Sequence, residues 1–314
     1  MYSLVIPVYK NEGSIHDLLD ALKTMHASLQ GKLEVIFVVD GSPDNSLELL
    51  LSLLPETQIP SKVIALSRNF GSFAAIRTGL QEAQGEYFAV MAADLQEPPD
   101  LIVNFFQELD TKSCDVVIGT RDARNDPWVS KMMSNIFWYF YRKLIMPQMP
   151  VGGVDIFGCN KDFRDNLLAC HEANSSLIAL IFWLGFRRKT IGYVRQERKH
   201  GKSAWTLKKK IKYLMDSVFA FTDFPVRILL SLGSIGIFLS AIWGIMIFFA
   251  KITGYIPVPG YSAIMLAILF FGGLNIFGIG IVGSYVWRTY ENTKQRPLTI
   301  PMKQYVFHSN QKKG

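Results

Sequence analysis

Cysteine and histidine are scarce, with three Cys and five His in 314 residues. Cys114, Cys159 and Cys170 show neither metal-ligand spacing nor an obvious pairing, so a reducing compartment is expected rather than a disulfide framework. No histidine stands in a pattern that marks a catalytic base. The first nine residues are a short strand-like run rather than a leader, so no cleavable signal is expected and the N-terminal part is expected in the cytoplasm. Charge is missing from residues 228–250 and 262–287, and each stretch is long enough to cross a bilayer. Acid is nearly missing from residues 187–212, where Glu197 stands alone among repeated Lys and Arg. Such a run is often only a solvated face. Here it directly precedes the apolar segments, which favours anionic headgroups or a lipid phosphate over nucleic acid. The net charge of +7 agrees, and the hydrophobic fraction of 49% is unevenly spread.

Strand and helix patterns alternate through the first hundred residues. Apolar runs at 3–9, 33–39, 62–66 and 87–93 predict strands, and helical spacing predicts helices at 13–29, 47–54 and 74–83, the first capped by Asn11. Unbroken apolar strands of this kind predict a parallel sheet covered on both faces, an α/β fold. A further strand is expected at 115–119, a turn at 152–155 and a helix from Asp162. Residues 130–146 mix aromatics with Lys131, Arg142 and Lys143, which suits a helix at a membrane interface or an ordinary core helix.

Strand ends carry the polar residues. Asp40 follows the second strand, Ser67, Arg68 and Asn69 the third, and Asp94 and Gln96 the fourth, before Pro98 and Pro99 forbid extension. A carboxylate and an amide two apart at a strand end face the same side, and hard oxygens there suit Mg²⁺ or Mn²⁺ holding a diphosphate. Alternatively, Asp94 only caps its own loop.

Positive flanks around the apolar pair (Arg227 and the basic run before it; Arg288, Lys294, Arg296 and Lys303 after it) place both flanks in the cytoplasm and the Pro/Gly loop outside. Gly236, Ser240 and Gly244 form a small-residue stripe suited to close helix packing, within the hairpin or between subunits. The expected organisation is a catalytic domain at 1–204, an amphipathic juxtamembrane segment at 205–225, two membrane helices within 226–288 (about 226–250 and 262–287) and a basic cytoplasmic tail at 289–314.

These pieces resemble the inverting family 2 glycosyltransferases of GT-A fold, Rossmann-like with a mostly parallel sheet. In particular they are similar to polyprenyl-phosphate glycosyltransferases such as bactoprenol glucosyltransferases and, more distantly, dolichol-phosphate mannose synthase. The likeness rests on Val5 to Glu12, on Asp40-Gly41-Ser42-Pro43-Asp44 against DDGSxD, and on Arg68-Asn69-Phe70-Gly71 with Ala75 and Gly79 against RNxGxxxAxxxG. It rests also on Ala93-Asp94-Leu95-Gln96-Glu97-Pro98-Pro99 against DADLQxPP, on Thr120-Arg121, and on Glu197-Arg198 with Gly201 and Ser203 against ERxxGxSK. Val39, Ala92 and Ala204 stand where the family carries acid, acid and lysine, and Asp155 keeps the acid of GDFRL without its arginine. No QxxRW motif of a processive synthase is visible.

The resemblance implies transfer of a hexose, glucose first and N-acetylglucosamine, galactose or mannose behind it, from a nucleotide sugar to undecaprenyl phosphate at the bacterial inner membrane. It also leaves open a catalytically weak scaffold derived from the fold. Implied donor contacts are Pro7, Tyr9, Glu12, Asp40, Ser67, Arg68, Asn69, Gly71, Asp94 and Gln96, with Asp94 and Gln96 holding Mg²⁺ or Mn²⁺. Arg121, Lys131, Arg198 and Ser203 are the implied acceptor or diphosphate contacts, and Asp94 and Asp155 the implied catalytic residues. A homo-oligomer in the lipid bilayer, with both termini cytoplasmic, is expected.

Overall fold

Apolar runs that must be buried on both faces form the centre of the sheet. They are β1 (Tyr2–Val8), β2 (Leu33–Val39), β3 (Ser61–Leu66) and β4 (Tyr87–Val90). The helices α1 (Ile15–Ser28), α2 (Ser46–Thr57) and α3 (Ser72–Glu82) alternate with them as predicted. The computed structural model describes residues 1–123, 138–139, 141–143, 145–150, 153–154, 156–172, 175–196, 207–253 and 260–308.

Four more strands complete the sheet: β5 (Val116–Ala123), β6 (Ile156–Asn160), β7 (Arg188–Val194) and β8 (Pro301–Phe307). Their order is β7-β5-β6-β4-β1-β2-β3-β8. β1, β2, β3 and β4 run parallel, as do β5 and β7, whereas β6 and β8 pair antiparallel with their neighbours. The chain steps outward from β1 to β3 and then returns to lay β4 on the other side of β1. Such a reversal opens a crevice beyond the C-terminal ends of β1 and β4, the place where open α/β sheets bind ligands.

Glycines bring helices onto this sheet. A Cβ on Gly79 of α3 would lie 2.3 Å from Val5 Cγ1, so α3 sits directly on β1. Helix α4 (Pro99–Asp110) was not expected, although Pro99 at its first turn and buried Leu101, Ile102, Phe105, Phe106 and Leu109 at helical spacing carry its signal. Its Phe105 packs over Gly119 of β5 and Gly158 of β6. Helix α5 (Lys161–Ala169) is clamped to α3 in both directions. Arg77 donates to the carbonyls of Leu168 (3.2 Å) and Cys170, and Arg164 donates to those of Leu80 and Ala83 (3.1 Å each). Each arginine thus satisfies carbonyls that the partner helix leaves unpaired at its C-terminal end. Short α6 (Leu177–Trp183) leads to β7.

Several expectations change. β4 stops at Val90, not at residue 93, so Asp94 and Gln96 lie in a turn rather than on a strand. Of the described residues in the aromatic stretch at 130–146, Tyr141, Ile145 and Met146 are buried and Tyr139 is 53% exposed, and Ile145 and Met146 are not helical. The start of the basic run leads into β7 and is paired within the sheet unit: Arg187, just before the strand, with Asp115 (2.8 Å) and Lys189 with Glu108 (2.6 Å).

The Arg187 guanidinium grips both Asp115 oxygens, and this holds the carboxyl below its ordinary value. A depressed carboxyl stabilises the fold above its unfolded pKa of roughly 3.9, and the contribution fades as pH falls through the native value. Asp115→Asn is therefore expected to lower the unfolding temperature at neutral pH, with the gap to wild type closing below about pH 4. Thermal unfolding between pH 7 and pH 3 measures this, and a gap that stays constant across the range contradicts it.

The chain divides into two units, Met1–Ile211 with Arg296–Gly314, and Lys212–Gln295. The expected tail at 289–314 is thus corrected, because β8 lies within it and forms an edge of the sheet. The boundary expected at residue 204 falls instead inside α7 (Leu207–Phe221). In the second unit, α8 (Phe224–Ile252) and α9 (Tyr261–Thr293) meet where Gly236 faces Phe271 and Gly278 faces Leu229. Arg288 donates to Asp216 at 2.8 Å. Two stretches, Phe224–Trp243 and Phe270–Thr293, are long and apolar enough to cross a membrane, with mean hydropathy 1.9 and 1.4. Their apolar side chains point outward: Leu230, Phe238, Phe270 and Ile276 are 65–74% exposed.

Candidate active site

Because β1 to β4 are parallel, the loops that follow them gather at one edge. The loops after β1 and β2 are knitted together by local hydrogen bonds. Lys10 N donates to Ser42 Oγ (2.8 Å), Asn11 N to Ser46 Oγ (3.2 Å) and Glu12 N to Asp44 Oδ2 (3.1 Å). Glu12 accepts in return from Asn45 Nδ2 (3.0 Å) and Asn45 N (3.3 Å), so both of its oxygens serve the neighbouring loop. Asn11 does not cap α1; its Oδ1 accepts from Tyr9 N at 2.9 Å and shapes the exit of β1, where Lys10 has φ +57°. Burial pushes the Asp44 carboxyl up, but hydrogen bonds from Ser42, Ser46 and the Glu12 amide outweigh it and hold the group below its ordinary value.

Asp40 is the centre of the next contact. It is 2% exposed, and its two oxygens accept from Phe70 N (2.7 Å) and Gly71 N (2.8 Å) at the start of α3. Asn69 Nδ2 adds a bond to the Asp40 carbonyl at 3.3 Å. A carboxylate is the natural partner of a helix N-terminus, and here the protein supplies its own. Asp40, an implied donor contact, thus also holds the Ser67 to Gly71 loop through both of its oxygens. Gly41 makes this approach feasible: it has φ +58°, and a Cβ there would lie 2.3 Å from the Arg68 backbone carbon. Gly41→Ala is expected to cost about 2 kcal/mol or more, since it adds left-handed strain and a clash with backbone that cannot yield. Asp40→Ala removes two bonds to a charged acceptor, each worth about 1.5–3 kcal/mol, and should lower stability similarly. Denaturant unfolding of both variants checks this, and wild-type midpoints would contradict the assignment.

On the rim, Ser67, Arg68 and Asn69 are exposed, and the Arg68 guanidinium rests over the Phe70 ring at 4.2 Å. Pro7 lies near the end of β1, and Tyr9 is half-buried beside it. Arg121 lies in the last part of β5, in register with Tyr193 of β7.

A second cluster follows β4. Leu95 has φ +54°, uncommon for a branched residue. It turns the chain so that Asp94 Oδ1 accepts from Gln96 N at 3.4 Å. Gln96 Oε1 accepts from Arg195 Nη2 at 2.5 Å, and Gln196 N donates to the Gln96 carbonyl at 2.9 Å. Among the described residues, no group of three or more His, Cys, Asp or Glu comes together. Half-buried Asp94 offers hard carboxylate oxygen, which fits a divalent cation completed by diphosphate oxygens and water. The Gln96 oxygen, committed to a guanidinium, does not fit that role. Asp155, Lys131, Arg198 and Ser203 lie outside the described residues. Sequence reading missed Ser42, Asp44 and Arg195 as members of the site; the first two had a signal in DDGSxD, and Arg195 had none beyond its place in a basic run.

Residues 3–171 match the family described as Glycosyl transferase family 2. Over 297 residues the chain is 34% identical to the putative glycosyltransferase CsbB of Bacillus subtilis (strain 168), covering 95% of this chain and 90% of that one. It is 27% identical over 299 residues to the prophage bactoprenol glucosyl transferase homolog of Escherichia coli (strain K12), covering 95% and 97%. A solved structure of the mannosyltransferase PcManGT from Pyrobaculum calidifontis in complex with GDP-Man and Mn²⁺ aligns over 95% of this chain and 84% of its own, with 16% identity and a TM-score of 0.48. A family match that spans more than half of the chain falls on the strands and loops that build the crevice, and the chain, with its mostly parallel GT-A sheet, belongs to glycosyl transferase family 2.

Proposed function

We propose that this glycosyltransferase moves glucose from a uridine diphosphate sugar to a polyprenyl phosphate, undecaprenyl phosphate, at the cytoplasmic face of a membrane. One observation carries the reading. The likeness to bactoprenol glucosyl transferases covers 95% of this chain and 97% of the relative, so it takes in the apolar helices as well as the sheet unit. The outward-facing apolar side chains of α8 and α9 support a bilayer as their surroundings. The chain leaves the sheet unit at Ile211 and rejoins it at Arg296, which fits an even number of crossings and cytoplasmic flanks.

The chemistry asks little of a base. An acceptor phosphate with a second pKa near ~6 is already largely ionised at neutral pH and attacks the anomeric carbon directly. The demand is to orient two anions and neutralise the departing nucleoside diphosphate. A divalent cation at Asp94 would supply Lewis-acid charge to the diphosphate. Arg68 and Arg121 present guanidinium groups suited to bidentate contact with phosphate, and Lys131, Arg198 and Ser203 are assigned to the same anions. Asp155 is assigned beside the anomeric centre. In-line attack on an α-linked donor gives a β-linked lipid phosphate sugar, a donor for cell-envelope glycan modification.

The test incubates the purified full chain in lipid vesicles with undecaprenyl phosphate, Mg²⁺ or Mn²⁺, and UDP-glucose, UDP-N-acetylglucosamine, UDP-galactose or GDP-mannose in turn. Mass spectrometry of the extracted lipid is expected to show a hexosyl product with UDP-glucose. Product with another donor alone corrects the sugar, and product with none overturns the reading.

A further inference from the structure

We infer that Gln96 acts as a positioning residue, fastening the exit of β7 to the Asp94 turn through Arg195, and is not a ligand of the cation. The inference rests on the proposed transfer only for its kinetic arm. In the sheet, β7 and β4 are separated by β5 and β6, so no ladder bond places Arg195 beside Gln96. Three hydrogen bonds do so instead. The Gln96 carbonyl accepts from Gln196 N (2.9 Å), its Oε1 accepts from Arg195 Nη2 (2.5 Å), and its Nε2 donates to the Gln196 carbonyl (3.4 Å).

The left-handed turn at Leu95 (φ +54°) sets this geometry, because the two-residue alternation that would align Gln96 with Asp94 ends with β4 at Val90. A dication on the same amide oxygen would be forced close beside a guanidinium, and the like charges repel. The same geometry gives the amide another use. It holds the positive charge of Arg195 at the Asp94 turn, where the negative charge of a nucleoside diphosphate is needed. Sequence separation conceals the pair, since the two residues are 99 apart.

Full-length Gln96→Ala, Arg195→Ala, the double variant and Gln96→Glu test this with three readouts. Amide hydrogen exchange at residues 194–196, measured without substrate, is expected to quicken in both alanine variants and to stay protected in Gln96→Glu, which keeps an acceptor oxygen for Arg195. The donor KM is expected to rise about tenfold in each alanine variant and no further in the double variant, as for two halves of one contact. Mn²⁺ binding in the presence of UDP, followed by electron paramagnetic resonance, is expected to weaken by about the same factor in Gln96→Ala as in Arg195→Ala, as for the loss of an indirect contact. Unchanged exchange overturns the inference. So does a tenfold loss of Mn²⁺ affinity in Gln96→Ala that Arg195→Ala does not share. Should the wild-type chain form no lipid-linked sugar, the proposed transfer falls, while exchange and Mn²⁺ binding still decide the contact.

Discussion

Asp94→Asn is expected to reduce sugar transfer by roughly a thousandfold, the loss that follows when about 4 kcal/mol of metal-assisted charge stabilisation disappears. Asp94 is a half-buried acidic side chain at the turn after β4, next to the crevice opened by the reversal from β3 to β4. Residue 92 is alanine, so no second acid stands two residues before Asp94, and Gln96 is turned toward Arg195. In the proposed reaction the burden of holding a cation would therefore fall on one carboxylate with the donor diphosphate. The asparagine keeps the shape and can still accept the 3.4 Å bond from Gln96 N, so folding should be unaffected. Thermal unfolding separates the two effects. Transfer within about threefold of wild type would remove Asp94 from the reaction. The same dependence predicts weak cation affinity without donor. Titration of Mn²⁺ with and without UDP should show the difference, and tight binding by the donor-free protein would refute it.

Ending the chain at Gln295 is expected to unfold the sheet unit rather than trim a tail. β8 pairs along β3 from Ser61 to Leu66, and Tyr305 and Phe307 pack against the core. The segment before it is tied in as well: the Ile300 carbonyl accepts from Ser67 N (3.0 Å), and Thr299 Oγ1 meets Thr78 Oγ1 at 2.6 Å. Two partly buried aromatic side chains and a row of ladder bonds together contribute on the order of 5 kcal/mol, a large share of the stability of one domain. Truncation also bares the edge of β3, which invites pairing between chains. The truncated protein should therefore aggregate or unfold well below the wild-type temperature. The Tyr305→Ala/Phe307→Ala variant, which keeps the backbone pairing, should fall between the two. A truncated protein that melts with wild type would show that β8 contributes nothing to the unit. Since the same segment touches Ser67, a folded survivor should still bind donor more weakly.

Much of this architecture is written locally. Continuous apolar runs at β1 to β3 and helical spacing at α1 to α3 reveal themselves within a dozen residues, because burial on two faces leaves no room for polar alternation. The later strands are harder to read. β7 is mostly exposed and lies in a basic run, and β8 shows little burial, so neither has the apolar run that marks a central strand. Their places depend on partners, β5 for one and β3 for the other.

The candidate site divides along the same line. That polar residues follow the strands, and that they share one edge, is determined by the sequence through a parallel topology. What else each of them holds is decided by the tertiary structure. Asp40 reads as a ligand in the sequence, and the fold adds bonds from Phe70 and Gly71, about thirty residues on, to its two oxygens. Glu12 is taken by Asn45, and Gln96 by Arg195. Two apolar helices and a family membership follow from composition and motif order alone. The return of the chain after them into the edge of the sheet does not, because β8 reaches β3 across more than two hundred residues of intervening chain. Local pattern records which face of a segment avoids water. It carries no trace of which distant donor will meet a given carboxylate, because that contact is made only when the chain folds.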